Sequence, residues 1–108
     1  MKVTFQFSNE GYFGICFTKF PKGISCGWML ATDGANFYEN QDIHSIDTGL
    51  GDMSCGEVVE MRYDRQEKSL TICCNGNSYT HTNKKWPNEV YLVFSLAMAR
   101  YFVRLLPN

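Results

Sequence analysis

The strongest constraint in this chain is a hydrophobic period of two. In KVTFQF, Val3, Phe5 and Phe7 alternate with Lys2, Thr4 and Gln6, so a strand there has one apolar face and one wet face. The alternation returns in EVVEMRYD, where Val59, Met61 and Tyr63 share a face, and in SLTICCN, where Leu70, Ile72 and Cys74 do. In GYFGICF, Phe13, Ile15 and Phe17 lie on one side, while Gly14 and Cys16 leave the other side thin enough for another layer to approach. No stretch carries a sustained helical period. Backbone groups exposed by so many short strands must pair with one another. The pattern predicts an all-β fold, an antiparallel two-sheet β-sandwich of about nine strands with few or no helices.

The punctuation between the runs supports that reading. Ser8-Asn9-Glu10-Gly11, the loop FPKGISCG and Thr32-Asp33-Gly34 are breaks by composition. Trp28 to Ala31 and Asn36 to Tyr38 are spaced to pair as a hairpin. From Glu39 to Gly56 the chain is polar and glycine-bearing, which predicts a long surface loop with a short strand at Ile43 to Ile46. Asp64 to Lys68 makes a turn. Asn75-Gly76 is the strongest hairpin signal present, because a type I′ turn needs positive φ at both central residues. NSYTHT, EVYLVFSL and YFVRLL complete the strands, with breaks at Trp86-Pro87-Asn88 and at Ala97 to Arg100.

At 108 residues the chain is the size of one domain, expected to run from residue 1 to residue 108. It is 44% hydrophobic and 19% charged, too apolar for a disordered chain. Its 8 Phe, 6 Tyr and 2 Trp supply enough ring area for a dense core. Ten basic residues against eleven acidic ones give a net charge of −1, which excludes a global basic field for nucleic acid or anionic lipid. The five cysteines are Cys16, Cys26, Cys55, Cys73 and Cys74, an odd count with no CxxC pair. They read as reduced thiols, placing the chain in an intracellular, reducing, cytoplasmic setting.

Several short motifs in a fixed order resemble the SPRY domain family. The second half reads GEVVEMRYD, SLTICCNG, WPNEVYLVFSL and YFVRLL. Upstream, GWMLATDGANFYEN is similar to the family's Gly-Trp-Gly-x-x-Ser-Asp-Gly segment, and GYFGICFTK to its Trp-x-Val-Gly-Val-Ala strand. The resemblance spans about Val3 to Leu106. It departs from the family at Ile72, which stands for an aromatic, and at Met29, which stands for a glycine. The family's first strands are absent or trimmed, so a sheet edge is expected to need cover from a partner chain or another element. The resemblance implies a bent, concanavalin-like jelly-roll sandwich. It also implies a non-enzymatic interaction module that binds a peptide or folded protein through loops at one end. Such modules often serve as the substrate-recognition or scaffold part of a ubiquitin ligase.

By the same resemblance, partner contacts fall on Phe20, Pro21 and Lys22 and on Ala97, Met98 and Arg100. Tyr38, Asn40 and Gln41 belong to a loop, Tyr38 to Asp47, that tunes specificity. Phe20 and Met98 are either apolar anchors or fillers of the sandwich end, and Arg100 suits a forked contact to carboxylate or carbonyl. Trp28 is expected in or near the core by the family match. Trp86 either covers the sandwich end or stands exposed as a binding aromatic.

The residues point to no catalytic site, metal or cofactor. His44 and His81 sit in no GxSxG or HExxH motif. Asp47 and Asp52 resemble a calcium loop in part, but Gly49 occupies the position that needs Asp or Asn. Cys73 and Cys74 point to opposite faces of their strand and cannot share one ion. Lys84-Lys85 is too small a cluster for nucleic acid. No membrane partner is expected, and an edge-strand dimer is. The alternative function is a lectin-like carbohydrate-binding domain, since an aromatic with Asn and Asp on one face can hold a sugar. A third reading is one module of a larger protein.

Overall fold

The alternating runs form ten antiparallel strands in the structure, a computed structural model that describes residues 1–19 and 27–107. In chain order these are β1 (Lys2–Phe7), β2 (Gly11–Cys16), β3 (Gly27–Ala31), β4 (Asn36–Glu39) and β5 (Asp42–Ser45). There follow β6 (Val59–Asp64), β7 (Ser69–Cys74), β8 (Asn77–Thr82), β9 (Tyr91–Leu96) and β10 (Val103–Leu106). They make two five-stranded sheets, ordered β10-β1-β6-β7-β8 and β9-β2-β3-β4-β5. No helix forms among the described residues, so none is long and apolar enough to cross a membrane. The expected sandwich is what forms, with β5 as a tenth strand.

Register follows from the alternation. Val59, Met61 and Tyr63 pair with Cys74, Ile72 and Leu70, and all six are buried on the inner face of the first sheet. Phe5 and Phe7 of β1 meet Phe13 of β2 and Phe94 of β9 across the gap, mostly edge to face at 4.9 to 5.9 Å. Edge-to-face rings set the positive rim of one against the negative face of the next, which adds about 0.5–1.5 kcal/mol per pair to the burial itself. β1 therefore lies over β2 and β9, and β10, one strand further out, overhangs the edge of the second sheet.

Gly14 is small for a reason other than the approach of another layer. A Cβ there would sit 2.0 Å from the Trp28 carbonyl oxygen on the paired strand β3, so the crowding comes from within the sheet. The stretch from Ile46 to Val58 also corrects the expectation of a surface loop. Its Leu50 and Met53 are buried in the core, and Thr48 and Ser54 are buried beside them. The segment is fastened down by backbone partners. The Thr48 hydroxyl donates to the Gly34 carbonyl at 2.6 Å, and the Met53 amide donates to the Thr32 carbonyl at 2.6 Å. Two isolated apolar residues among glycines thereby plug one end of the sandwich.

Candidate functional site

A sandwich of two open sheets has two long sides, and here they are built from opposite chemistry. On one side the sheets end in β8 and β5. Inside that side five rings stack in a column, His44 on Phe37, Phe37 on Trp28, Trp28 on His81, and His81 on Trp86, with interplanar angles of 22 to 30°. Glu39, on the inner face of β4, locks the column. Its carboxylate accepts from the Trp86 indole N–H at 2.9 Å and from the Asn83 side-chain amide at 3.2 Å, tying the second sheet to the loop after β8.

That arrangement decides between the two roles open to Trp86. Trp86 is only 4% exposed, so it covers the sandwich end and is not a binding aromatic. A neighbouring carboxylate satisfies its single donor, which removes the cost of burying that N–H. Trp28 is fully buried as expected, and its indole N–H has no hydrogen-bond partner among the described residues. His81 shares a hydrogen bond with the Tyr79 hydroxyl through Nδ1 at 3.0 Å. Burial between the indoles pushes His81 below the usual imidazole range, with the Glu39 charge opposing. Burial also raises the Tyr79 phenol.

Among the described residues, the Asn40–Gln41 turn and the Ala97–Arg100 turn lie at opposite ends of their sheet. Asn40 and Gln41 form the β4–β5 turn, both with positive φ (53° and 76°), a type I′ pair without the usual glycine. That turn lies at the end of the sheet marked by Cys16, Gly27 and Tyr91. Ala97 to Arg100 follow Leu96, which pairs with Gly11 at the opposite end. Tyr38 is on the outer sheet face, its ring edge-on to Tyr12 at 5.1 Å. Burial and the hydrogen bond to Tyr38 both raise the Tyr12 phenol. Phe20, Pro21 and Lys22 lie outside the described residues. The strand ends that bracket them, Cys16 and Gly27, are at the far end from Ala97, Met98 and Arg100.

On the other long side the sheets end in β10 and β9, and an exposed apolar run follows these strands and the turn that joins them. Leu96 (38% exposed), Met98 (46%), Phe102 (55%) and Leu105 (60%) fall within ten residues of chain and are open to solvent. Leu105 pairs with the core residue Phe5 and so faces inward, yet it is the most exposed of them, because β10 overhangs the second sheet. The turn is held, not frayed. The Tyr101 amide donates to the Met98 carbonyl at 3.0 Å, and the Phe102 amide to the Ser8 hydroxyl at 2.8 Å. The only charged side chains from Ala97 to Pro107 are Arg100 and Arg104. Both are exposed, and neither belongs to an ion pair among the described residues.

No known family, curated protein or solved structure matches this chain. The surface must therefore be interpreted from its own chemistry. Sequence reasoning named Met98 and Arg100 as candidates and did not name Phe102 and Leu105. Alternation assigned both to the closing strand, and only the overhang of β10 exposes them.

A separate cleft of about 240 Å3 is lined by Glu10, Tyr12, Thr32, Asp33, Asp52 and Ser54, among others. Hydrogen bonds from Ser54 hold the Asp52 carboxyl below its usual value. Asp52 is thus engaged in an Asx-type turn with the Ser54 amide at 2.8 Å.

Proposed function

We propose that this chain is a non-enzymatic protein-interaction module whose partner surface is the β9–β10 turn with the adjoining β10 edge. The observation that carries the reading is the run Leu96, Met98, Phe102 and Leu105, exposed together and flanked by Arg100 and Arg104, neither of which has an ion-pair partner among the described residues. Apolar anchors ringed by groups that can form forked hydrogen bonds are the composition of an interaction hot spot. The SPRY resemblance supports the same class of function, and with it a role in substrate recognition or scaffolding.

The test is a pull-down from reducing cell extract with wild type beside Met98→Asp and Phe102→Ser, each first shown to be folded by circular dichroism. A protein retained by wild type and lost by both variants is the expected result. The same proteins retained by all three would remove this surface from consideration. The carbohydrate-binding alternative draws on the Tyr12 and Asp33 cleft, and a glycan array distinguishes it, since a lectin binds sugars with Met98 and Phe102 changed.

A further inference from the structure

The hydrogen-bond parity of the sheets fixes which backbone groups of β10 are unused. The Ser8 amide donates to the Phe102 carbonyl, and the register runs Phe7↔Val103, Gln6↔Arg104, Phe5↔Leu105 and Thr4↔Leu106. In an antiparallel pair, bonded and non-bonded positions alternate. Ser8–Phe102 is bonded, so Gln6–Arg104 and Thr4–Leu106 are bonded too. Val103 and Leu105 then turn their amides and carbonyls away from β1. The other side of β1 agrees, since the Tyr63 amide donates to the Met1 carbonyl, placing the odd residues of β1 on β6. Val103 and Leu105 thus present a free strand edge, and the same two residues carry the inward apolar side chains.

Natural sheets blunt such edges with charge, proline or a bulge; the opposite edge strand, β8, is at least polar, with Asn77, Ser78, Thr80 and Thr82. On β10 the one charge, Arg104, points to the outer face beside Gln6. Resting on the interaction reading above, we propose that the β10 edge takes an added β-strand from a protein partner. The partner strand is an extended segment that alternates apolar with acidic residues.

The alternation follows from the pleat. Partner residues opposite Val103 and Leu105 face inward and cover Leu105, while those opposite Arg104 lie on the outer face and meet a guanidinium that lacks an acid. Arg100, in the turn before β10, extends the same sign of charge. A second copy of this chain fits worse. Pairing β10 with itself about a two-fold axis at Arg104 sets two arginines side by side, and about Leu105 it sets Arg104 against Leu106, so neither register gives the guanidinium an acid. β9 offers a free edge as well, but the segment YLVFSL has no charge with which to choose a partner.

The test uses the whole chain, isotope-labelled, titrated with a short blocked peptide of alternating valine and glutamate and with its valine–lysine counterpart, followed by amide chemical shifts. The expected result is that the glutamate peptide shifts the amides of Val103 and Leu105 and binds at least about threefold tighter than the lysine peptide. In Arg104→Glu, which changes an exposed side chain, the preference reverses. Three results overturn strand addition. Shifts confined to Ala97 to Phe102 would do so while leaving the interaction module standing. Equal binding of the two peptides, or no shift at Val103 and Leu105 with either, would do so too. Protection of those amides by dimerisation of the chain alone would show the occupant to be a second copy.

Discussion

The two long sides of this sandwich solve the same problem in different ways. Where β8 and β5 end the sheets, a column of rings runs from the exposed His44 to the buried Trp86, and the half-buried carboxylate of Glu39 holds the last indole in place. The edge strand there is lined by Asn, Ser and Thr. Where β10 and β9 end the sheets, the inward residues Leu105 and Leu96 remain open and the edge backbone is unused. Sheet edges are costly in either case, because unpaired amides and bare apolar surface invite association. One side spends its aromatic residues on closure and contributes stability. The other leaves apolar side chains open to solvent, and that is the surface proposed above to take a partner.

The comparison is most easily broken at Trp86. Trp86→Ala removes the last ring of the column and leaves a cavity, and a loss of about 3–5 kcal/mol in folding free energy is expected by urea denaturation. A change below about 1 kcal/mol would mean the column is ornamental to stability. Next in size is Glu39→Ala, which strands the indole N–H of a residue that is 4% exposed. A loss of about 1–3 kcal/mol is expected from the same measurement.

Protonation gives a smaller effect with a defined sign. His81 is held below its ordinary value by burial, so the unfolded chain binds a proton first as the pH falls. Its contribution is complete above the unfolded pKa, near 6.5, and is lost as pH drops through the folded value. The urea midpoint of wild type should fall between about pH 7.5 and 5.5, and that of His81→Phe should fall less. An equal fall in both would place the pH dependence elsewhere. The smallest effect belongs to the open side. Phe102→Ser and Leu105→Ser should each alter stability by no more than about 0.5 kcal/mol. A loss above about 2 kcal/mol for either would show that side to be covered in solution.

Much of the fold was legible in the sequence because its signals are local. Val59, Met61 and Tyr63 alternate within one strand, and Asn75-Gly76 adopts the two positive φ values its hairpin needs. What was not legible depends on distant partners. Leu50 and Met53 have no periodic neighbours, and their burial follows from bonds to Gly34 and Thr32. Whether Trp86 is open or closed is decided by Glu39, 47 residues away. Arg100 and Met98 could be named from a motif, whereas Phe102 and Leu105 emerge only when β10 is seen to overhang its neighbour. A period of two assigns faces, not the width of the sheet beneath them.

Strand addition requires a free β10 edge, and amide hydrogen exchange by NMR on the chain alone measures that directly. The amides of Val103 and Leu105 should exchange freely at every protein concentration, while that of Arg104, bonded to β1, is protected. Protection of Val103 and Leu105 in the isolated chain would contradict the account, because the edge would already be occupied.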